Sequence, residues 1–308
     1  MKVTVTGGAG FIGSNLVKLL LEKKCDVTVL DDLSSGHAVN LDGLPVTFIR
    51  DDVRNADAVG RAVAGSELVF HLAASVGNKR SVDDPIADSE INVIGTLNVL
   101  EQARHRGIRR VVFSSSAGIF GELKTLPISE DHPAEPDSPY GASKLAAEKH
   151  CLAYSKLYRL EAACLRYFNV YGINQRFDAY GNVIPIFVHR VLRGEDIVIF
   201  GDGEQTRDFV NARDVAQANY LAGMASGASG AYNIASGSRV TINELAQWIA
   251  EAAGVELRVT HAPPRSFDVR HSIADISAAS AAFGFKPCVD LRAGLIEYVA
   301  WARDHLVT

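Results

Sequence analysis

The segment Gly7-Gly8-Ala9-Gly10-Phe11-Ile12-Gly13 stands directly between an opening β-branched run, Val3-Thr4-Val5-Thr6, and an amphipathic stretch, Gly13–Leu21. Glycines in that position permit a tight turn and let the backbone approach a pyrophosphate. Amide groups and the dipole at the helix N-terminus then stabilise the anion. A glycine pattern alone also fits an ordinary flexible turn, but a strand before it and a helix after it argue against that reading. Asp31 and Asp32 end the second β-branched run, where a carboxylate accepts hydrogen bonds from adenosine ribose hydroxyls and repels a 2′-phosphate. Gly7, Gly10, Gly13, Asp31 and Asp32 are therefore expected to bind NAD in preference to NADP.

The first half of the chain alternates short apolar runs with amphipathic stretches, the pattern of a parallel sheet covered by helices on both faces. Strands are expected at Val3–Thr6, Asp26–Leu30, Val46–Ile49, Leu68–Leu72, Arg110–Ser114 and Glu161–Arg166, with helices at Gly13–Leu21 and Asn92–Arg104. After Phe168 the rhythm loosens. A helix at Ile184–Leu192, a strand at Ile197–Phe200, a last sheet strand at Tyr232–Ala235 and a capped helix from Thr241 are readable there. The expected fold is α/β: a doubly wound parallel sheet (Rossmann) of residues 1–168 plus about 209–236. A smaller, irregular α/β lobe for substrate takes about 169–208 plus 237–308.

With 308 residues the chain is long enough for an enclosed site, and a net charge of −5 disfavours nucleic acid as a partner. Arg109 and Arg110, the densest basic spot, read as solvated charge ahead of a strand. The four cysteines form no Cys-x-x-Cys pair and none of the nine histidines has metal-ligand spacing, so no metal and no disulfide framework is expected. His71 reads as a packed core residue. No run is long enough to span a bilayer, and the first strand begins at Met1 without room for a signal segment, so a cytoplasmic location is expected.

Tyr140-Gly141-Ala142-Ser143-Lys144 places a phenol and an ammonium on one helix face, and Ser114-Ser115-Ser116 ends the fifth strand. To act as a base near neutrality a phenol must lose roughly three pH units from its reference pKa of about 10, about 4 kcal/mol. An ammonium about 4 Å away at intermediate dielectric supplies roughly that much. Ser116 is placed to hydrogen-bond the same substrate oxygen. Taken alone, Tyr140 and Lys144 read equally as helix-surface residues; with the glycine turn they read as catalytic.

These motifs resemble those of the extended short-chain dehydrogenase/reductase family, and within it the UDP-galactose 4-epimerase-like nucleotide-sugar enzymes. Further matches are Asp31 to Gly36, Asp52-Val53, His71 to Ala74, Asn92, Leu165 to Gly172 and Gln205 to Phe209. The resemblance implies a homodimer through helices near Asn92–Arg104 and Ser138–Tyr158. It implies NAD contacts at Phe11, Ile12, Asp31, Ser35, Gly36, Asp52, Val53, Leu72, Ala73, Ala74, Asn92, Tyr140, Lys144 and Phe168. Nucleoside diphosphate contacts fall to Asn169, Asn182, Val183, Val198, Phe200, Arg207, Arg265 and Asp268. Arginines such as Arg207 and Arg265 suit a diphosphate, although either also suits a surface carboxylate.

The mechanism implied is transient oxidation at carbon 4 with Tyr140 taking the hydroxyl proton, followed by return of hydride to the other face of a 4-keto sugar. The family's 4,6-dehydratases place an Asp-Glu pair just after the active-site hydroxyl residue. Here Ala117 and Gly118 follow Ser116, which disfavours elimination. Asn174-Gln175-Arg176 resembles the Arg-Gln-Arg of uronate epimerases more than the Arg-Gln-Asp of hexose enzymes. Arg176 is accordingly expected to pair with a 6-carboxylate, the alternative being a loop arginine paired with Asp178 or solvent. Two positions depart from the family pattern: Asn174 replaces its usual arginine, and Phe267 stands where a glycine often precedes the aspartate. The leading expectation is a UDP-glucuronate/UDP-galacturonate 4-epimerase, an isomerase. UDP-glucose/UDP-galactose or UDP-N-acetylglucosamine is the alternative sugar, and a dehydratase, a reductase or a non-catalytic NAD-binding protein the alternative class.

Overall fold

The computed structural model describes residues 1–177, 181–264 and 269–305. The elements run β1 (Lys2–Thr6), α1 (Phe11–Glu22), β2 (Asp26–Asp31), β3 (Thr47–Arg50), α2 (Ala56–Ala62), β4 (Leu68–His71), α3 (Asn78–Asp83), α4 (Pro85–Ser89), α5 (Gly95–His105), β5 (Arg110–Ser116), α6 (Pro139–Tyr158) and β6 (Glu161–Tyr167). There follow β7 (Asn169–Tyr171), α7 (Val183–Leu192), β8 (Ile197–Phe200), β9 (Thr206–Arg207), β10 (Phe209–Asn211), α8 (Ala212–Met224), β11 (Gly230–Ile234), β12 (Val240–Thr241), α9 (Ile242–Ala253), β13 (Val259–Ala262), α10 (Ser277–Phe283) and α11 (Leu291–His305).

Seven strands form one sheet in the order β11-β6-β5-β4-β1-β2-β3, every pair parallel. The order reverses between β1 and β4, and at such a switch point a crevice opens beyond the carboxyl ends of the strands. The interior strands are almost wholly buried because helices cover both faces. α1 and α8 bury Leu16, Leu20, Val215 and Ala218 on one face, while α2, α5 and α6 bury Val59, Leu100 and Cys151 on the other. Each fully buried aliphatic side chain of this kind contributes about 1.5–3 kcal/mol.

Arg110 corrects the expectation of solvated charge. It is 0% exposed; its guanidinium pairs with Glu161 at 2.6 Å and donates to the carbonyls of Ala222, Gly223 and Ala225. A strand residue thus satisfies the last carbonyls of α8, which a helix end otherwise leaves without partners.

The second core collects Phe187, Val188, Ile199, Leu245, Ile249, Leu295 and Tyr298 from α7, β8, α9 and α11. α9 starts with a full capping box, Thr241 with Glu244. Three two-stranded ladders that the sequence pattern did not signal complete this part: β7 with β10, β9 with β12, and β8 with β13. Of these, β7–β10 joins segments on either side of the expected lobe boundaries. The expected helix from Asn92 is preceded by one π-helical turn, Glu90–Ile94, that carries Asn92 itself. Among the described residues, no helix is long and apolar enough to cross a membrane.

Candidate active site

The glycine turn closes against the tail of β4. Gly7 has a φ of 71°, and a Cβ there would lie 2.6 Å from the Ala73 amide nitrogen; a Cβ on Gly13 would fall on the Gly7 carbonyl oxygen. Gly10 caps α1 without a side-chain bond, and no acidic residue stands in the first turn. The amides at Phe11 and Ile12 thus begin a helix whose positive end is uncompensated, the form of an anion site. Asp31 lies beside the turn. Its carboxylate accepts from the Ala9 and Leu33 amides at 2.9 Å each, Gly36 packs against it, and burial raises its pKa. Asp32 turns outward and binds the amide and hydroxyl of Ser34.

The remaining cofactor candidates divide. Leu72, Ala73 and Ala74 follow β4 at the sheet's carboxyl edge, partly exposed, and Ser35 is exposed beside the turn. Asp52 is engaged by Arg54 at 2.6 Å, which lowers its pKa, and the Val53 side chain is core, packed beneath Gly95. Asn92 is 1% exposed and wholly occupied by the chain: its Oδ1 accepts from the Ser75 amide, and the two protons of its Nδ2 are shared among the Ser75 carbonyl, Asp88 and Ser143. Phe168 is buried between Phe120 and Ala235.

α6 carries Tyr140 and Lys144. Ser138 caps it by accepting from the Gly141 amide at 3.2 Å, and Pro139 presets the first turn. A Cβ on Gly141 would strike the Gly118 carbonyl, so the helix start presses directly on the turn after β5. That approach brings Ser116 to Tyr140. The Ser116 hydroxyl accepts from the Gly118 amide at 3.1 Å and lies close enough to the Tyr140 phenol to favour its ionised form. Position 118 faces the same point, since a Cβ there would lie 3.3 Å from Ser116 Oγ and 3.6 Å from the edge of the Tyr140 ring. Ser115 points the other way, giving its proton to Glu148 at 2.6 Å; Glu148 is fully buried and paired with Arg166 at 2.7 Å.

Lys144 is buried, with its ammonium 4.4 Å from the centroid of the Phe113 ring. Burial pulls its pKa from 10.5 down to about 8. Tyr140 moves opposite to expectation: burial raises its pKa, with Asp88 adding to the rise and the Ser116 hydroxyl opposing it. His71 is a core residue bridging Thr6 and Thr96, its pKa pushed to about 3 by burial.

On the substrate side, Asn169 donates to the Asp208 carbonyl at 2.9 Å, and Asn182 precedes α7 with no side-chain cap. Val183 opens α7. Val198 and Phe200 share the outward face of β8, whose alternate residues Ile197 and Ile199 are core, and Arg207 lies half-buried on β9. Arg265, Asp268, Phe267 and Asp178 lie outside the described residues. Asn174, with a φ of 71°, donates to Ser14 Oγ at 2.9 Å, and Asn15 donates to the Ile173 carbonyl at 2.9 Å, which straps residues 173–176 to α1. Arg176 then acts on His37, whose pKa falls first through burial and second through that charge, and its buried Nε has no partner among the described residues. His37 in turn donates its amide to the Ala9 carbonyl, beside Asp31. The charge of Arg176 is thus felt near the glycine turn.

Gly141, Phe113, Asp88 and Ser143 were not read from the sequence as site residues. The glycine inside Tyr-x-x-x-Lys and the i, i+4 spacing of Asp88 and Asn92 are the signals that carry two of them. Among the described residues, no group of His, Cys, Asp or Glu is arranged to hold a metal ion.

Residues 3–235 match the family model described as the NAD dependent epimerase/dehydratase family. A UDP-glucose 4-epimerase of Mycolicibacterium smegmatis is 40% identical over 310 residues, covering 99% of both chains. Among solved structures, the UDP-glucose 4-epimerase of Thermotoga maritima with UDP-glucose superposes with a TM-score of 0.94 at 38% identity, over 99% of this chain and 100% of that one. The UDP-N-acetylglucosamine 4-epimerase of Methanobrevibacter ruminantium, in complex with UDP-N-acetylmuramic acid, gives 0.95 at 36% identity, over 99% of each.

Proposed function

The chain belongs to the NAD dependent epimerase/dehydratase family, and on that premise we propose that it interconverts UDP-glucose and UDP-galactose by inverting carbon 4. The observation that carries this reading is Gly118. The position nearest the Ser116–Tyr140 pair, where an eliminating member of the family needs an acid or base, holds only hydrogen. Proton removal at one hydroxyl is then the chemistry the residues provide, without a second group to expel water.

The cofactor is NAD. The glycine turn, the uncompensated start of α1 and the Asp31 carboxylate fit a dinucleotide, and bound NAD supplies reversible hydride transfer. Tyr140 takes the proton of the 4-hydroxyl and returns it after the 4-keto sugar has turned over. Ser116 holds the same oxygen in line. Lys144, charged below about pH 8, stabilises the phenolate as it forms. Arg207, Asn169, Asn182 and the outward face of β8 serve the nucleoside diphosphate, about which the sugar pivots.

The uronate reading gives way to the neutral sugar. The three relatives described above are named for UDP-glucose and UDP-N-acetylglucosamine and none of them for a uronate. N-acetylhexosamine is the second reading, because a neighbour matched over 99% of this chain is a UDP-N-acetylglucosamine 4-epimerase.

The test is incubation of the purified protein with UDP-glucose, UDP-N-acetylglucosamine and UDP-glucuronate in parallel, with products resolved by chromatography. The expected result is UDP-galactose with no dehydrated product, fastest on UDP-glucose, and a Tyr140→Phe enzyme slower by about 10²–10⁴-fold. A 4-keto-6-deoxy product or exclusive turnover of the uronate would refute the proposal.

A further inference from the structure

Asp88, in α4, is 1% exposed, and among the described residues it forms no ion pair. Its Oδ2 receives the Ser143 hydroxyl proton at 2.5 Å and its Oδ1 receives an Asn92 amide proton at 3.1 Å. Asn92 also donates to Ser143 Oγ at 3.0 Å, so three buried side chains from α4, the π turn and α6 converge on one carboxylate. The Tyr140 carbonyl lies 3.0 Å from Ser143 Oγ, but a hydroxyl has one proton, and the short, charge-assisted bond to Asp88 takes it. A buried carboxylate with only neutral partners is costly and marks a site where charge is used.

The groups facing Lys144 are Asp88 from α4, Glu148 and Cys151 from α6, Cys164 from β6 and His71 from β4; those facing Tyr140 are Ser116 and Asp88. Glu148 is neutralised by Arg166, burial raises Cys164, and His71 is uncharged at neutral pH. Asp88 is left as the uncompensated anion acting on both catalytic groups.

We propose that Asp88 is a positioning residue for the reaction, fixing the first turn of α6 through Ser143 and supplying the negative charge against which the Lys144 ammonium and the Tyr140 phenol work. This rests on Tyr140 as the proton acceptor. An adjacent anion favours the protonated form of both groups. Removing it makes the phenol easier to ionise and the ammonium easier to discharge, so both limbs of the pH profile move the same way.

The test compares Asp88→Asn, Ser143→Ala and Tyr140→Phe holoenzymes with wild type, measuring kcat and KM for UDP-glucose between about pH 5.5 and 10 alongside thermal unfolding. Asp88→Asn is expected to move both limbs to lower pH and reduce kcat on the order of 10- to 100-fold with KM little changed. Ser143→Ala, which keeps the charge, lowers kcat without displacing the limbs. Asp88→Ser serves the same comparison if the asparagine variant does not fold. Limbs that superimpose on wild type, whatever the unfolding temperature, overturn the role of Asp88 while leaving an inactive Tyr140→Phe to support the site. A fully active Tyr140→Phe overturns the site reading and this proposal with it.

Discussion

Replacing Lys144 by methionine is expected to make the folded protein more stable at neutral pH while removing most of its activity. The ammonium is 2% exposed, and its pKa falls from 10.5 to about 8 chiefly through burial. At about 1.4 kcal/mol per tenfold change, holding that charge inside costs the folded state about 3 kcal/mol. The sign follows from the folded pKa lying below the unfolded one. Below about pH 8 both states carry the proton and the full penalty applies. Between about 8 and 10.5 the folded state discharges first and the penalty shrinks; above 10.5 it is gone. Methionine is similar in length, carries no charge, and keeps a sulfur contact with the Phe113 ring. Denaturant unfolding of cofactor-stripped wild type and variant at about pH 7 and pH 10.5 checks this, since bound ligand would add its own stabilisation. The variant should gain about 3 kcal/mol at the lower pH and nearly nothing at the higher. A variant less stable at pH 7, or one whose gain is equal at both pH values, would refute the reasoning.

Glu148→Ala leaves the Arg166 guanidinium and the Ser115 hydroxyl buried without their shared partner. A loss of about 3–5 kcal/mol is expected, read as a lowered denaturation midpoint, with Glu148→Gln losing less. Gly13→Ala sets a methyl group on the Gly7 carbonyl and must open the turn. The NAD released per protomer on denaturing the purified variant should fall well below that of wild type, and an unchanged ratio would remove the turn from cofactor binding.

The parallel sheet was legible because all its strands but the edge strand β3 are largely buried and are separated by amphipathic helices, so each of β1 to β6 could be read within a residue or two of its observed ends. The ladders of the smaller part were not. β9 and β12 are two residues long, too short for any period, and are held by tertiary pairing alone. Arg110 was misread because charge beside a strand start looks solvated; only the fold places the end of α8 above it. At the site, the glycine turn, Asp31, Ser116, Tyr140 and Lys144 carry chemistry in their residue types. Asp88 does not announce itself, since an aspartate between Ala87 and Ser89 in a polar stretch reads as solvated helix charge until the fold buries it. The direction of the Tyr140 shift was missed for a related reason: spacing on a helix gives distance from Lys144 but not the loss of water around the phenol.

Two bonds fasten Ile173 and Asn174, just beyond β7, to Ser14 and Asn15 near the start of α1. A dehydrogenase ends each turnover with its cofactor in the wrong oxidation state and must open to exchange it. An epimerase returns the hydride it removed, so its cycle closes on itself, and a strap across the dinucleotide's helix is no obstacle. The cycle therefore makes no demand for NAD exchange, and only the nucleotide sugar has to come and go between turnovers.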